Sequence, residues 1–168
     1  MDFFYPNFNN DFWRIMGLVH FGDAQRFVAP AGRRFDYVSV VAFCRSAGLA
    51  FFDTASKVRR LKDNASDAFL EVLEPTDVSA LLQRLPRCRT IVTTGGKASE
   101  QLAALLQQDS GAVMGAGQGP VSVPSPGGFA DMEAFGRELR WWRMPSSSRA
   151  YPLPLAQKAA AYAKLWNE

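Results

Sequence analysis

Apolar and polar positions alternate along this chain with two different periods, and the periods divide it into short elements. Phe12, Trp13, Ile15, Met16 and Val19 give a buried side to a helix that Asn9 or Asn10 can cap and that runs to about Val19. Residues 37–47 carry Val38, Val41, Phe43 and Cys44 at helical spacing, and Gly48 is placed to end that helix. Leu49-Ala50-Phe51-Phe52 reads as a short buried strand that stops at Asp53-Thr54. Residues 65–73 read as a short helix or irregular turn ended by Pro75. Thr76-Asp77 then cap a helix with Val78, Leu81, Leu82 and Leu85 on one face, and Pro86 stops it. Thr90-Ile91-Val92-Thr93 lies at the centre of the strongest strand pattern, residues 88–94. Gly95-Gly96-Lys97 follows at once and leads into a helix with Leu102, Leu105 and Leu106. Residues 129–135 predict a helical turn, and residues 138–144, rich in Leu, Trp and Met, predict a buried strand. Leu155, Ala159, Tyr162, Ala163 and Trp166 recur at helical spacing, with Pro154 suited to the first turn.

Strands near 49–52, 89–94 and 138–144 alternate with helices, so the expected fold class is α/β with a mostly parallel, layered sheet. A chain of 168 residues with 48% hydrophobic content fits a single domain over 1–168. The Gly, Pro and Ser block at 109–128 reads as an exposed loop inside that domain, because too little chain follows it to fold alone. Net charge +3 and a pI near 9.1 permit a polyanionic partner without requiring one. The local clusters are Lys57, Arg59, Arg60 and Lys62, and then Arg137, Arg140, Arg143 and Arg149. Cys44 and Cys88 lie far apart inside apolar segments and read as reduced core residues of a cytosolic protein. They fall short of the about four ligands of an iron–sulfur cluster, and the lone His20 offers no zinc site. The first residues lack a signal-peptide pattern, and no apolar run approaches the roughly 20 residues of a membrane span. The expectation is a cytoplasmic protein with no membrane contact.

The candidate chemistry centres on Met144-Pro145-Ser146-Ser147-Ser148-Arg149, between the last strand and the last helix. A strand that feeds a helix through small residues aims backbone amides and a helix start at one point, which suits an anion. The plainer reading of a serine run is a polar loop with a capping hydroxyl. This stretch resembles the second motif of the uracil-DNA glycosylase superfamily in its mismatch-specific uracil/thymine branch, where Met or Asn replaces the His of other branches. Arg149 stands one residue before the branch's usual inserted arginine. Tyr5-Pro6 followed by Asn10-Asp11-Phe12-Trp13 is similar to a second stretch of that branch, in which the aromatic stacks on the flipped base. Residues 48–53 and the basic loop behind them resemble a third, in which the strand ends on an Asn that reads the base edge. Here the position holds Asp53, and an ionised carboxylate only accepts hydrogen bonds. Either Asp53 is protonated, or it holds loop backbone, or the preferred base is not simply uracil. Gly96-Lys97 is similar to the branch's Gly-Lys at a strand end, where helix-terminal amides can take a DNA phosphate, and a tight turn that needs glycine can hold at the same time.

The resemblance implies a single-domain three-layer α/β/α fold around a short parallel sheet. It also implies that the family's first strand and first catalytic motif lie upstream of Met1, so that Met1 is an internal methionine of a longer protein. The implied activity is hydrolytic removal of uracil or a related damaged or mismatched base from DNA, with no metal or organic cofactor and with the protein a monomer. Tyr5 would stack on the everted base, a contact worth about 1–3 kcal/mol. Asn10 would brace the Tyr5 loop and Asp53 would read the base. Ser146, Ser147, Ser148, Arg149, Gly96, Lys97, Arg59 and Arg60 would contact DNA. The activating residue is unassigned, with Asp53, Asn7 and Asn9 as the nearest substitutes, so weak or absent turnover is expected. Two rivals stand beside this. One is a DNA- or RNA-binding module without chemistry. The other is a small-molecule nucleotide-binding protein built on Gly95-Gly96-Lys97, which lacks the Gly-x-x-x-x-Gly-Lys-Ser/Thr spacing.

Overall fold

A computed structural model describes residues 3–60, 70–115 and 121–167. Among them are five helices, α1 (Phe12–Phe21), α2 (Tyr37–Ala47), α3 (Val78–Arg84), α4 (Gly96–Gln108) and α5 (Leu155–Asn167). The strands are β1 (Ala55–Arg60), β2 (Leu70–Pro75), β3 (Thr90–Thr94), β4 (Val113–Met114), β5 (Gly128–Ala134) and β6 (Arg137–Met144). The fold is mixed α/β. Two compact units form, Met1–Phe51 with Pro145–Glu168, and Phe52–Met144. No helix among the described residues is long and apolar enough to cross a membrane.

The first unit is helical. The N-cap of α1 is Asp11, not the expected Asn9 or Asn10: its carbonyl accepts from Ile15 at 2.8 Å, its side chain caps no amide of the helix, and Asn10 Oδ1 makes a local turn by accepting from the Phe12 amide at 2.9 Å. Phe12, Trp13, Ile15 and Met16 are all buried, and Trp13 Nε1 donates to the Phe4 carbonyl at 3.0 Å. In α2 the Asp36 side chain accepts from the Ser39 amide at 2.9 Å, and Gly48, at φ 66°, ends the helix in the left-handed conformation that glycine tolerates. Its buried residues are Val40 and Phe43, whereas Val38 is 71% exposed, so the apolar face is turned from the one expected. In α5, Ala159 and Tyr162 are buried, while Trp166 is 37% exposed.

One expected strand is absent. Residues 49–52 form no strand; instead Phe51 packs among aromatics, with ring centroids 5.7 Å from Phe4, 6.1 Å from Tyr5, 5.5 Å from Phe12 and 5.9 Å from Trp13. A run of four apolar residues carries no period of its own, and aromatic packing decides between strand and plug.

The second unit holds both sheets. β1 and β2 form an antiparallel pair, with Arg59 opposite Glu71 and Arg60 opposite Leu70. Residues 70–73 therefore belong to a strand rather than to the expected helix or turn; residues 65–69 of that expectation, and Lys62, lie outside the described residues. The larger sheet has the order β3-β6-β5-β4. β3 and β6 are parallel, with Thr94 level with Met144, and the other two pairs are antiparallel. The sheet is thus mixed, not mostly parallel. The source of the difference is residues 129–135, expected as a helical turn and found as β5. Phe135 (φ 53°) and Gly136 (φ 72°) make the two-residue turn into β6. Asp109 Oδ2 accepts from the Phe135 amide at 2.7 Å and holds that turn. Leu82, Leu102, Ala103, Leu106, Met132, Ala134, Leu139 and Trp141 form the core of this unit. Of the glycine-rich block, residues 116–120 lie outside the described residues. Cys44 and Cys88 are free thiols, each half-buried.

Candidate functional site

The first unit brings together two stretches that lie more than a hundred residues apart in sequence. Asn10 and Ser148 form an isolated antiparallel bridge, and the Asp11 amide donates to the Ser147 carbonyl at 2.9 Å. The loop 145–151 is held through its carbonyl oxygens. That of Pro145 accepts from the Tyr162 hydroxyl at 2.8 Å, that of Ser147 from Asp11, and that of Ser148 from Lys158 Nζ at 2.6 Å. Two of its hydroxyls brace the loop itself, Ser146 Oγ accepting from the Ser148 amide and Ser148 Oγ from the Ala150 amide, both at 3.2 Å. Ser147 is buried, and Arg149 is exposed.

Beside this junction Tyr5 takes a left-handed backbone conformation, φ 56°, and its ring stacks on Phe12 with centroids 4.3 Å apart and planes 12° apart. Phe12 in turn meets Tyr162 edge-on at 6.2 Å. The Tyr162 phenol is pushed well above the usual tyrosine range, first by burial and then by the nearby Tyr5 phenol. Tyr5 therefore sits at the same end of the helical unit as the serine loop. Asn10 Oδ1 is engaged by the Phe12 amide at the start of α1. Asn7 Oδ1 accepts from the Asn9 amide at 2.9 Å, so its side chain also supports a turn. Asn9 is exposed.

Charged residues complete the junction, and composition did not single them out. Asp11, Arg14 and Lys158 are buried, at 8%, 6% and 1% exposure. Asp11 Oδ1 lies 2.9 Å from Arg149 Nε and 3.6 Å from Arg14 Nη1, and Oδ2 lies 3.9 Å from Lys158 Nζ. Arg14 also donates to the carbonyls of Phe8 (3.0 Å) and Asn10 (3.3 Å), and its guanidinium covers the Phe8 ring at 4.1 Å. Burial holds Arg14 below the usual arginine range, the like charge of Arg149 adds to this, and Asp11 opposes it. The sequence carried a signal for these residues. Arg14 interrupts the apolar run Trp13-Ile15-Met16, and Lys158 stands on the same stripe as Leu155, Ala159 and Tyr162. A cation on a buried stripe must find a partner.

The other expected site residues belong to the second unit. The carbonyl of Asp53 accepts from the Thr76 hydroxyl, so this segment joins the loop to α3 through its backbone. Asp53 itself is exposed. Arg59 and Arg60 lie on β1. Gly96 opens α4 and Lys97 is exposed in its first turn. A β-carbon on Gly96 would lie 3.9 Å from Arg143 Nη2, so a guanidinium stands beside this helix start. Three arginines of the second cluster, Arg137, Arg140 and Arg143, are engaged within the unit. Arg137 donates to the Leu85 carbonyl (3.2 Å) and Arg143 to that of Pro124 (3.2 Å). Arg140 pairs with Asp131 at 2.7 Å and lies 4.1 Å over the Phe129 ring.

No family model, no curated protein and no solved structure matches this chain.

Proposed function

We propose that this protein binds DNA in the manner of a uracil-DNA glycosylase, with the three-layer architecture of that superfamily, and seats an everted uracil or related mismatched base against Tyr5. The observation that carries the reading is the pairing of Asn10 and Asp11 with Ser148 and Ser147, which puts the stacking aromatic and the serine loop at one junction. A base turned out of the duplex loses its stacking neighbours, and an aromatic platform offsets part of that loss. The Tyr5 ring is backed by Phe12 in near-parallel contact, so it is rigid before any base arrives. The loop 145–151 is likewise held before binding, by three donors to its carbonyls. Preformed contacts of this kind reduce the ordering cost of association.

Cleavage of the base–sugar bond needs donors at the leaving base and a water aligned opposite. Of the substitutes for the activating residue, Asn7 has its side-chain oxygen engaged at a turn, and Asn9 and Asp53 are exposed to water. This favours a second reading, binding and eversion with little or no hydrolysis. The experiment is a paired measurement on the 168-residue chain: affinity for a duplex with one uracil opposite guanine, and release of the base with protein in excess. The expected result is preference for the uracil duplex over the matched one, with slow or no release. Tyr5→Leu, which keeps apolar bulk over Phe12, should cost about 1–3 kcal/mol of that binding. Fast turnover would return the hydrolase to first place. Equal affinity for both duplexes at all salt concentrations would sink both readings.

A further inference from the structure

Among the described residues, the charges at the junction of loop 145–151 with α1 do not balance. One carboxylate, Asp11, faces three cations, Arg14, Arg149 and Lys158, at 3.6, 2.9 and 3.9 Å. Asp11, Arg14 and Lys158 are buried, while the Arg149 side chain is 47% exposed. The members also differ in what they hold. Lys158 and Arg14 tie down backbone, at the carbonyls of Ser148, Phe8 and Asn10. Arg149 Nε donates to the Asp11 carboxylate itself. Arg14 and Lys158 thus serve the fold through the backbone they hold, whereas the half-exposed Arg149 can leave Asp11 with those bonds intact.

We propose that Asp11 is a latch for Arg149. Without nucleic acid it holds the guanidinium against the protein, and on binding a backbone phosphodiester takes Arg149 from it. The surplus cations make this exchange cheap. When Arg149 leaves, Arg14 and Lys158 still compensate Asp11, so no buried carboxylate is stranded. Arg149 Nε donates to Asp11 Oδ1, and a non-bridging oxygen of a phosphodiester can accept from the same guanidinium in its place. The inference rests on the nucleic-acid reading above, and adds to it the residue that restrains binding.

The test uses the full 168-residue chain and a short duplex with one uracil opposite guanine. Asp11→Asn keeps the side-chain shape and one acceptor while weakening the hold on Arg149. It should tighten binding about three- to fivefold, the size of a partly exposed ion pair that no longer has to be broken. Removing a negative charge favours DNA anywhere on the surface, so the comparison variant is Asp23→Asn, in the same unit and exposed. The latch requires a smaller gain there. It also requires that Asp11→Asn give no gain in the Arg149→Ala background, and a gain that persists there would overturn it. If Asp11→Asn does not fold, Arg149→Ala alone still decides. The slope of log affinity against log salt should become shallower by about 0.9, one phosphate contact, and an unchanged slope would overturn the latch. No binding by the unmodified chain at any salt overturns the nucleic-acid reading; binding that Asp11→Asn leaves unchanged overturns the latch alone.

Discussion

Two strand-to-helix connections follow the parallel strands β3 and β6, and each is fixed by a different chemistry. The first, from Thr94 to Gly96, is short and neutral. Thr93 Oγ1 lies 2.9 Å from Ser99 Oγ, accepts from Trp141 Nε1 at 2.9 Å and lies 3.3 Å from the Trp142 carbonyl; Ser99 Oγ donates to the Gly95 carbonyl at 2.8 Å. Gly95, at φ 86° and ψ 173°, adopts a conformation essentially reserved for glycine, which lets the chain turn in so few residues. The second, from Met144 to Leu155, is long and charged, and its carbonyls are held by a lysine, a tyrosine and a backbone amide. The hydrogen bonds that fix the first turn run between hydroxyls, an indole and backbone carbonyls, all neutral groups. A charged network with cations in surplus is ready to exchange one of them for an external anion.

Removing the centre of each network should separate the two cases. Asp11→Ala leaves three cations facing one another and should cost about 3 kcal/mol of unfolding free energy, read from urea titration. Raising the salt concentration should restore part of that loss, because ions screen the remaining repulsion where Arg149 reaches solvent. Ser99→Ala, in the neutral network, leaves the buried Gly95 carbonyl without its hydroxyl donor and should cost about 1–3 kcal/mol. Salt should leave that figure unchanged. Equal salt responses in the two variants would mean that the distinction between the connections is not electrostatic.

How far the sequence reveals this arrangement depends on whether local pattern or distant packing decides. α1, α2, α3, α4, α5, β3 and β6 are legible because caps, glycines and prolines punctuate strong periods, as with Asp77, whose side chain accepts from the Ala80 amide at 2.9 Å. β5 was legible too. Phe129, Asp131 and Glu133 alternate with Ala130, Met132 and Ala134, a period of two whose exposure follows suit. Its turn hides it, because Phe135 at positive φ lacks the Asn or Asp that usually marks such a hairpin. Residues 49–52 fail for the opposite reason: no pattern within four apolar residues says that Phe51 will join an aromatic cluster. Within the site, the serine loop and Tyr5 stand out as local motifs. Arg14 and Lys158 are marked as cations on apolar stripes, but only the fold shows that Asp11 is the carboxylate they share.

The smallest effect concerns a polar group served by neither kind of network. His20, near the end of α1, has a buried Nε2 without a hydrogen-bond partner, and its ring meets Trp166 edge-on at 4.4 Å and Phe43 at 4.8 Å. Burial holds its pKa below the ordinary 6.5. The sign follows from linkage. The unfolded chain takes up a proton on His20 as pH falls through 6.5, while the folded chain does so at lower pH, so stability is full above 6.5 and declines below it until the folded group titrates. Urea midpoints should therefore fall modestly between about pH 7 and 5.5, a window above the range in which ordinary carboxylates protonate. His20→Phe keeps an aromatic ring against Trp166 and Phe43 and should flatten that slope. A slope that survives the substitution belongs to other groups, and the comparison would then have to treat this packed imidazole as electrostatically silent.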